Sequence, residues 1–295
     1  MALRIHAIQT GTVAVKTAHK KLRGPAATRW ASILLDPSYT EPLPILTWVV
    51  EHPEGVILID TGESAAATRP EHFACDPAYS FLMRAGLLKL AVRPEEEVGP
   101  QLRARGIEPE DVRRVVLTHL HLDHADGLAA FPNAELIVSR REFEGQRRQP
   151  RGALACRWPS WFAPRLIDYR PEPLGPFEFS LPLTEGGDVS LVPTPGHSHG
   201  HQSVILRHGG LSYFFAGDAS FDEQQMLRAE VAGICHDVGE ARRSLRLIRR
   251  YASVEPTVYL PSHDPASGAR LARNTTVTVP PGEKQVSGLQ TEGAR

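Results

Sequence analysis

A chain of 295 residues with 41% hydrophobic and 23% charged residues is long and apolar enough for one or two globular domains with a large core. Its 33 Lys and Arg against 34 Asp and Glu leave a net charge of −1, so no basic field exists to track a phosphate backbone, which speaks against nucleic-acid partners and a nuclease activity. Nowhere do eighteen apolar residues run together, and Met1–Gln9 lacks the apolar centre of a signal peptide, so the expectation is a soluble, cytoplasmic protein without a membrane partner.

The three cysteines, Cys75, Cys156 and Cys235, are odd in number, widely spaced and in no Cys-x-x-Cys motif. They read as packing residues in a reducing compartment.

In chain order, Leu3 to Ile8, Ala31 to Leu35, Leu43 to Val50 and Val56 to Ile59 read as strands of an opening antiparallel meander. Pro44 sets the start of the third at a sheet edge. The fourth runs into Asp60-Thr61-Gly62-Glu63-Ser64, where Asp60 is expected to orient a metal ligand rather than bind metal itself. Residues 73–92 are unusually apolar for a connection. They suit a substrate-pocket wall that includes Met83, a face for a second subunit in a homodimer, or an ordinary amphipathic helix on the core. A helix over Glu95 to Arg105, stopped by Gly106, follows.

Arg114 to Leu117 is a short β-branched and aliphatic strand, and Ala125 to Ala130 opens a helix. Between them stands Thr118-His119-Leu120-His121-Leu122-Asp123-His124, at a strand's carboxyl end, where layered α/β folds gather ligands and catalytic groups. Imidazole and carboxylate suit a borderline divalent metal such as zinc, and no cysteine lies near to close a purely structural site. Alternation along an extended segment places His119, His121 and Asp123 on one side, with His124 turning away as the chain bends. The first pair would serve one metal, and Asp123 with His124 a neighbour.

Glu135 to Val138 is a strand, and Arg140 to Arg148 is a charged helix read as a solvated face. Residues 150–176 resist assignment; Trp158, Trp161 and Phe162 there cap a site or pin a long loop. Strands resume at Asp188 to Val192, leading into Pro193-Thr194-Pro195-Gly196-His197-Ser198-His199-Gly200-His201, then at Ser203 to Leu206 and Leu211 to Phe215, the last followed by Ala216-Gly217-Asp218. Glu240 to Tyr251 is an amphipathic helix, and the strand Thr257 to Leu260 ends in Pro261-Ser262-His263-Asp264. From Asn274 the chain reads as a flexible tail, so residues 1–273 make a single domain. Both halves hold a strand closing on aspartate (Asp60, Asp218) and one closing on histidine (His119, His263), an echo that would bring four strand ends to one groove.

His197, Asp218 and His263 complete the four-residue cluster. His119, His121 and His197 would hold one metal, Asp123, His124 and His263 the other, and Asp218 would bridge them. His199 and His201 compete for the third position on the first metal, but the Pro195-Gly196 turn favours His197, with His201 in a supporting place. Three ligands plus a bridge leave each metal an open position, which marks a catalytic centre. Two metals roughly 3.5 to 4 Å apart would hold a bridging hydroxide near neutral pH and polarise a carbonyl, implying hydrolysis of an ester, lactone, thioester or amide.

Thr-His-x-His-x-Asp-His, Thr-Pro-Gly-His, Gly-Asp and the late Ser-His-Asp together resemble the metallo-β-lactamase superfamily over Leu43 to Asp264. The resemblance implies an α/β fold, a four-layer αββα sandwich, and the same seven ligands, with His197 preferred. The string Thr194 to Ser203, the Asp218-Ala219-Ser220 turn and Ser262-His263-Asp264 look most like the N-acyl-homoserine lactonases. That likeness implies a dinuclear zinc hydrolase, with Fe, Mn or Co open as the native metal. It would open the lactone ring of bacterial signalling molecules (quorum quenching), with Asp123 and Asp218 catalytic. Lactonases of this kind usually carry a tyrosine that contacts the lactone carbonyl three residues after the bridging aspartate. Phe221 stands there, on the expected substrate wall. Other lactonases, esterases and thioesterases of glyoxalase II type on the same scaffold are the alternatives, although the Gly-His-Glu-Tyr of the last is absent. A diiron redox protein and a non-catalytic metal-binding module fit less well.

Overall fold

The computed structural model describes residues 3–22, 24–149 and 152–280. Two sheets stand face to face. The first contains β1 (Arg4–Val15), β2 (Leu43–His52), β3 (Gly55–Ile59), β4 (Leu88–Ala91), β5 (Val112–Val116), β6 (Glu135–Ser139) and β7 (Arg165–Ile167), in the order β4-β1-β2-β3-β5-β6-β7. The second contains β8 (Leu181–Pro182), β9 (Val189–Pro193), β10 (Gln202–His208), β11 (Leu211–Gly217) and β12 (Thr257–Pro261), in the order β12-β11-β10-β9-β8. The helices are α1 (Thr17–Lys20), α2 (Arg29–Leu35), α3 (Pro77–Arg84), α4 (Val98–Arg103), α5 (Leu122–Ala125), α6 (Arg140–Arg148), α7 (Glu223–Arg228), α8 (Val238–Val254) and α9 (Ser267–Arg273).

The central strands are apolar on both faces because both faces are covered. Along β2, Trp48 and Val50 point between the sheets, where they meet Val204, Phe215, Val258 and Leu260, while Val49 points outward. Outside the first sheet, Val49, Leu58 and Val115 pack on Val98 and Leu102 of α4. Outside the second, Val192, Phe214 and Tyr259 pack on Leu245, Ile248 and Tyr251 of α8. These apolar seams separate four layers, helix, sheet, sheet and helix, which is the expected αββα sandwich. Helix α8 is capped by Asp237, whose Oδ1 accepts from the Glu240 amide at 2.7 Å. Its buried residues recur at three- and four-residue spacing, and each large one contributes roughly 1.5 to 3 kcal/mol by burial.

The echo of the sequence is a pair of parallel pairings: β3 with β5, and β11 with β12. Asp60 and His119 thus leave one sheet, and Asp218 and His263 the other, at neighbouring strand ends. Pro44 does not sit on an edge strand, since β2 lies between β1 and β3. β3 pairs only from Trp48 onward, so no ladder amide is needed at Pro44, whose carbonyl meets His263 there instead.

Four readings are corrected. Ala31 to Leu35 is not a strand but belongs to α2, because a five-residue apolar run has no period that separates the two; only Ile33 of that helix is buried. Helix α6 is not merely a solvated face: Glu142 and Gln146 are buried. Cys75 and Cys156 are joined in a disulfide across 81 residues and Cys235 is free and buried, so cysteine usage no longer supports a reducing compartment. The expected tail does not leave at Asn274, since the Val277 amide donates to Thr257 O at 2.8 Å and its side chain is buried; residues 281–295 lie outside the described residues. Among the described residues no helix is long and apolar enough to cross a membrane.

Candidate metal centre and active-site cavity

Both sheets deliver polar side chains to one cleft. His119 and His121 follow β5, and Asp123 and His124 lie in the single turn α5, so the histidine run is extended only as far as His121. His197 stands in the loop after β9, Asp218 directly after β11, and His263 just after β12. The ligand-type atoms of His119, His121 and His197 lie within 4.8 Å of one another, as do those of His119, His124 and Asp218, and those of Asp123, His124 and His263. Asp218 sits between the groups, with Oδ2 3.4 Å from both His197 Nε2 and His263 Nε2, and Oδ1 3.3 Å from His124 Nε2.

Buried nitrogen and oxygen atoms rarely go without hydrogen bonds. Here His119 Nε2, His124 Nε2 and Asp218 Oδ1 are buried, lack them and converge. That donor set of imidazoles and carboxylates fits divalent metal.

Two of the rings are aimed by contacts on their far sides. His124 Nδ1 is 2.8 Å from Asp60 Oδ2, and His263 Nδ1 donates to Pro44 O at 2.8 Å. Asp60 also accepts from the Thr118 amide at 2.7 Å and its hydroxyl at 2.8 Å, and it holds a left-handed backbone, φ 62°, to do so. His201 is committed elsewhere: Nε2 accepts from the Asp218 amide at 3.0 Å and Nδ1 is 2.9 Å from Thr194 Oγ1. His199 stacks on His236, ring centres 3.8 Å apart, and is in none of the groups. Gly217, φ 53°, brings Asp218 around; a Cβ there would press on His201 and Thr118.

The electrostatics divide the centre. Burial, reinforced by neighbouring imidazoles, lowers the pKa of His119 well below its ordinary value. Burial also lowers His197 and His121. Neutral imidazole is the ligating form. For His263 burial opposes charge, but Asp218 and Asp123 outweigh it and push the pKa up to about 10; His124 is raised in the same way by Asp218, Asp123 and Asp60. Burial resists ionisation of Asp218, yet His263, His124 and His197 hold it well below the carboxylate range.

Glu142 was missed by the sequence reading. Its Oε2 accepts from Ser198 Oγ at 2.7 Å and the Gly200 amide at 2.8 Å, and its Oε1 from the Leu120 amide at 3.1 Å and Gln146 Nε2 at 3.0 Å. The start of α6 thereby clamps the loop bearing His119 and His121 to the loop bearing His197. No motif signals this, because a glutamate in the first turn of a charged helix is ordinary.

A cavity of about 310 Å³ opens over the cluster, with His121, Asp123, His197, Asp218 and His263 on its floor and Val13, Val15, Trp30, Tyr79, Leu82, Leu88 and Phe221 among its walls. Phe221 stacks on His263 at 5.6 Å between ring centres. Met83 does not line the cavity: it faces away from it on α3 and packs with Phe73, Leu122 and Leu154, leaving Ala78, Tyr79 and Leu82 as the wall. His19 of α1, a lone histidine that no motif marks, also lines it; burial, with His121 adding to the effect, lowers its pKa to about 4, and its ring meets the Phe221 ring edge-on at 6.2 Å.

Residues 40–263 match the model of the metallo-beta-lactamase superfamily. A probable metallo-hydrolase of Mycobacterium tuberculosis is 31% identical over 248 residues, covering 77% of this chain and 76% of that protein. The N-acyl homoserine lactonase AttM of Agrobacterium fabrum is 27% identical over 286 residues, covering 92% and 97%. Among solved structures, an N-acyl homoserine lactone hydrolase with N-hexanoyl-L-homoserine at its catalytic metal centre superposes with a TM-score of 0.73 at 22% identity, over 91% of this chain and 96% of that one. AidC, a dizinc quorum-quenching lactonase, superposes at 0.62 and 17%, over 90% and 89%. Fold, cluster and matched span agree, and the chain belongs to the metallo-beta-lactamase superfamily of hydrolases.

Proposed function

We propose that the protein opens the ring of N-acyl-homoserine lactones at a dinuclear centre. His119, His121 and His197 would hold one metal and Asp123, His124 and His263 the other, with Asp218 lying between the two groups. The observation that carries this reading is the two-part cavity: a floor of imidazoles and carboxylates for a compact polar ring, and apolar walls for an acyl chain. The curated relatives named N-acyl homoserine lactonases support the same substrate class.

Bound divalent metals, zinc being the first choice from the donor set, would make water a nucleophile near neutral pH and polarise the carbonyl. The chain's own residues do the rest. Asp123, kept ionised by His124 and His263 against the cost of its burial, lines the cavity floor. It is placed to take a proton from the attacking water and return it to the ring oxygen as the C–O bond breaks, yielding the open-chain acid and alcohol. Phe221 and Tyr79 shield this step from bulk water. His19, held neutral, retains one ring N–H to offer substrate.

The reading is tested by assaying metal-reconstituted protein, with a pH indicator, against N-acyl-homoserine lactones, simple esters, thioesters and β-lactams. Homoserine lactones should give the highest kcat/KM. Turnover of esters or thioesters with none of lactones would overturn the substrate and favour the esterase or thioesterase alternative.

A further inference from the structure

A second constellation lies behind the metal centre. Glu63 follows β3, His72 comes from the short helical turn Pro70–Phe73, and Asp126 opens the turn that follows α5. All three are sequestered: Glu63 is 1% exposed, and the side chains of His72 and Asp126 are 2% and 3% exposed. Their ligand-type atoms lie within 4.8 Å of one another.

Three features set this apart from a satisfied polar cluster. His72 Nε2 and Asp126 Oδ2 are 2.9 Å apart, yet their geometry is not that of a hydrogen bond, and each is a buried atom with no hydrogen-bond partner. Two atoms that meet at ion-pair distance without hydrogen-bond geometry are disposed as ligands around a common point. Glu63 is anchored separately, its amide donating to Thr10 Oγ1 at 3.2 Å and its Oε1 accepting from the Ser64 amide at 3.0 Å. Two buried carboxylates also face one another here, and among the described residues no Lys or Arg pairs with either. Burial and the adjacent Asp126 carboxylate raise the pKa of Glu63 well above the carboxylate range, so ionising both carboxylates calls for a cation between them.

We propose that Glu63, His72 and Asp126 form a separate, closed site for a borderline divalent cation, which acts as a brace rather than a catalyst. One imidazole and two carboxylates suit zinc, manganese, iron or cobalt, whereas calcium and magnesium take all-oxygen sets. None of the three residues lines the active-site cavity, so the site offers no place to substrate. Its position gives the brace a purpose. Thr61, two residues before Glu63, donates its amide at 2.8 Å and its hydroxyl at 3.0 Å to His124 O, and Asp126 lies two residues after His124. A cation tying Glu63 to Asp126 therefore fixes the backbone on both sides of that contact, and with it the Asp60 to His124 alignment.

The three residues are distinct from the seven of the main centre, so the metal they hold is read as a difference in metal count. Full-length protein is dialysed against excess zinc and its metal counted by mass spectrometry beside Glu63→Gln and His72→Gln, with folding checked by circular dichroism. The wild type should hold one equivalent more per chain than either variant, and the variants should melt at lower temperature only when zinc is present. Should the variants fail to fold, anomalous scattering from a zinc-soaked wild-type crystal decides, with a peak expected between the three side chains. Equal counts in wild type and folded variants, or no peak, would mean that a shared proton compensates the carboxylates and would overturn the proposal. A failure of the main centre reads out separately, as no loss of metal from His197→Ala.

Discussion

Asp60 and His124 form a fully buried pair, Oδ2 to Nδ1 at 2.8 Å, in which a carboxylate on one strand end sets the ring plane of a histidine on the next. The left-handed backbone of Asp60 is retained because three hydrogen bonds over-determine it. Asp60→Ala should weaken metal binding about 10 to 100-fold while the apolar layers stay intact. Chelator competition measures it, and unchanged affinity would remove the orienting role.

The three histidines of the His197 loop should separate by mutation. His197→Ala should cost the most activity and metal, beyond the ~10 to 100-fold expected of a supporting residue. His201→Ala should fall within that range, because its ring supports the Asp218 amide and Thr194. His199→Ala should stay close to wild type, since its ring is stacked on His236 outside the groups. Equal losses at all three positions would show that the ligand has been misassigned.

Glu142→Gln tests the clamp. An amide nitrogen would replace one carboxylate oxygen where every partner is a donor, leaving a buried donor pair unmatched at a cost of about 1 to 3 kcal/mol. A lower Tm together with reduced metal retention is expected. A lower Tm with full metal retention would confine Glu142 to stability.

In metal-free protein His263 has a pKa of about 10, above the unfolded value near 6.5. A group raised on folding stabilises fully below its unfolded pKa, and the contribution is lost as pH rises through the folded value. The Tm of chelator-treated protein should therefore fall between pH 7 and pH 10. Metal binding must displace that proton, so at pH 8 it should release protons, measurable by titration in buffers of different ionisation enthalpy. A flat Tm and no release would contradict the assigned charge state.

Phe221 stacks on His263 and lines the cavity, so its position is not that of a core residue remote from the site. One oxyanion donor is commonly worth roughly 3 kcal/mol, but metals already supply much of that stabilisation. Phe221→Tyr should raise kcat/KM for homoserine lactones only a few-fold, with metal content unchanged. A destabilised variant with unaltered kinetics would show that the hydroxyl does not reach the substrate.

The sequence by itself determined the chemistry of the centre. His119, His121, Asp123 and His124 are packed into six positions, and His197, Asp218 and His263 each follow a strand, so their convergence was legible from strand order alone. It determined the layers as well, because strands apolar on both faces must be covered on both. Asp60 could be read as an orienting residue because it closes a strand with no further ligand-type side chains beside it, and carboxylates commonly orient ligating histidines. Tertiary structure decided what carries no local period or motif. The helix over Ala31 to Leu35, the Cys75–Cys156 bond, the turning away of Met83, the placement of His19 in the cavity and the Glu142 clamp all depend on partners far along the chain. So does the meeting of Glu63, His72 and Asp126, three unremarkable residues in sequence that become a constellation only when burial removes water from between them.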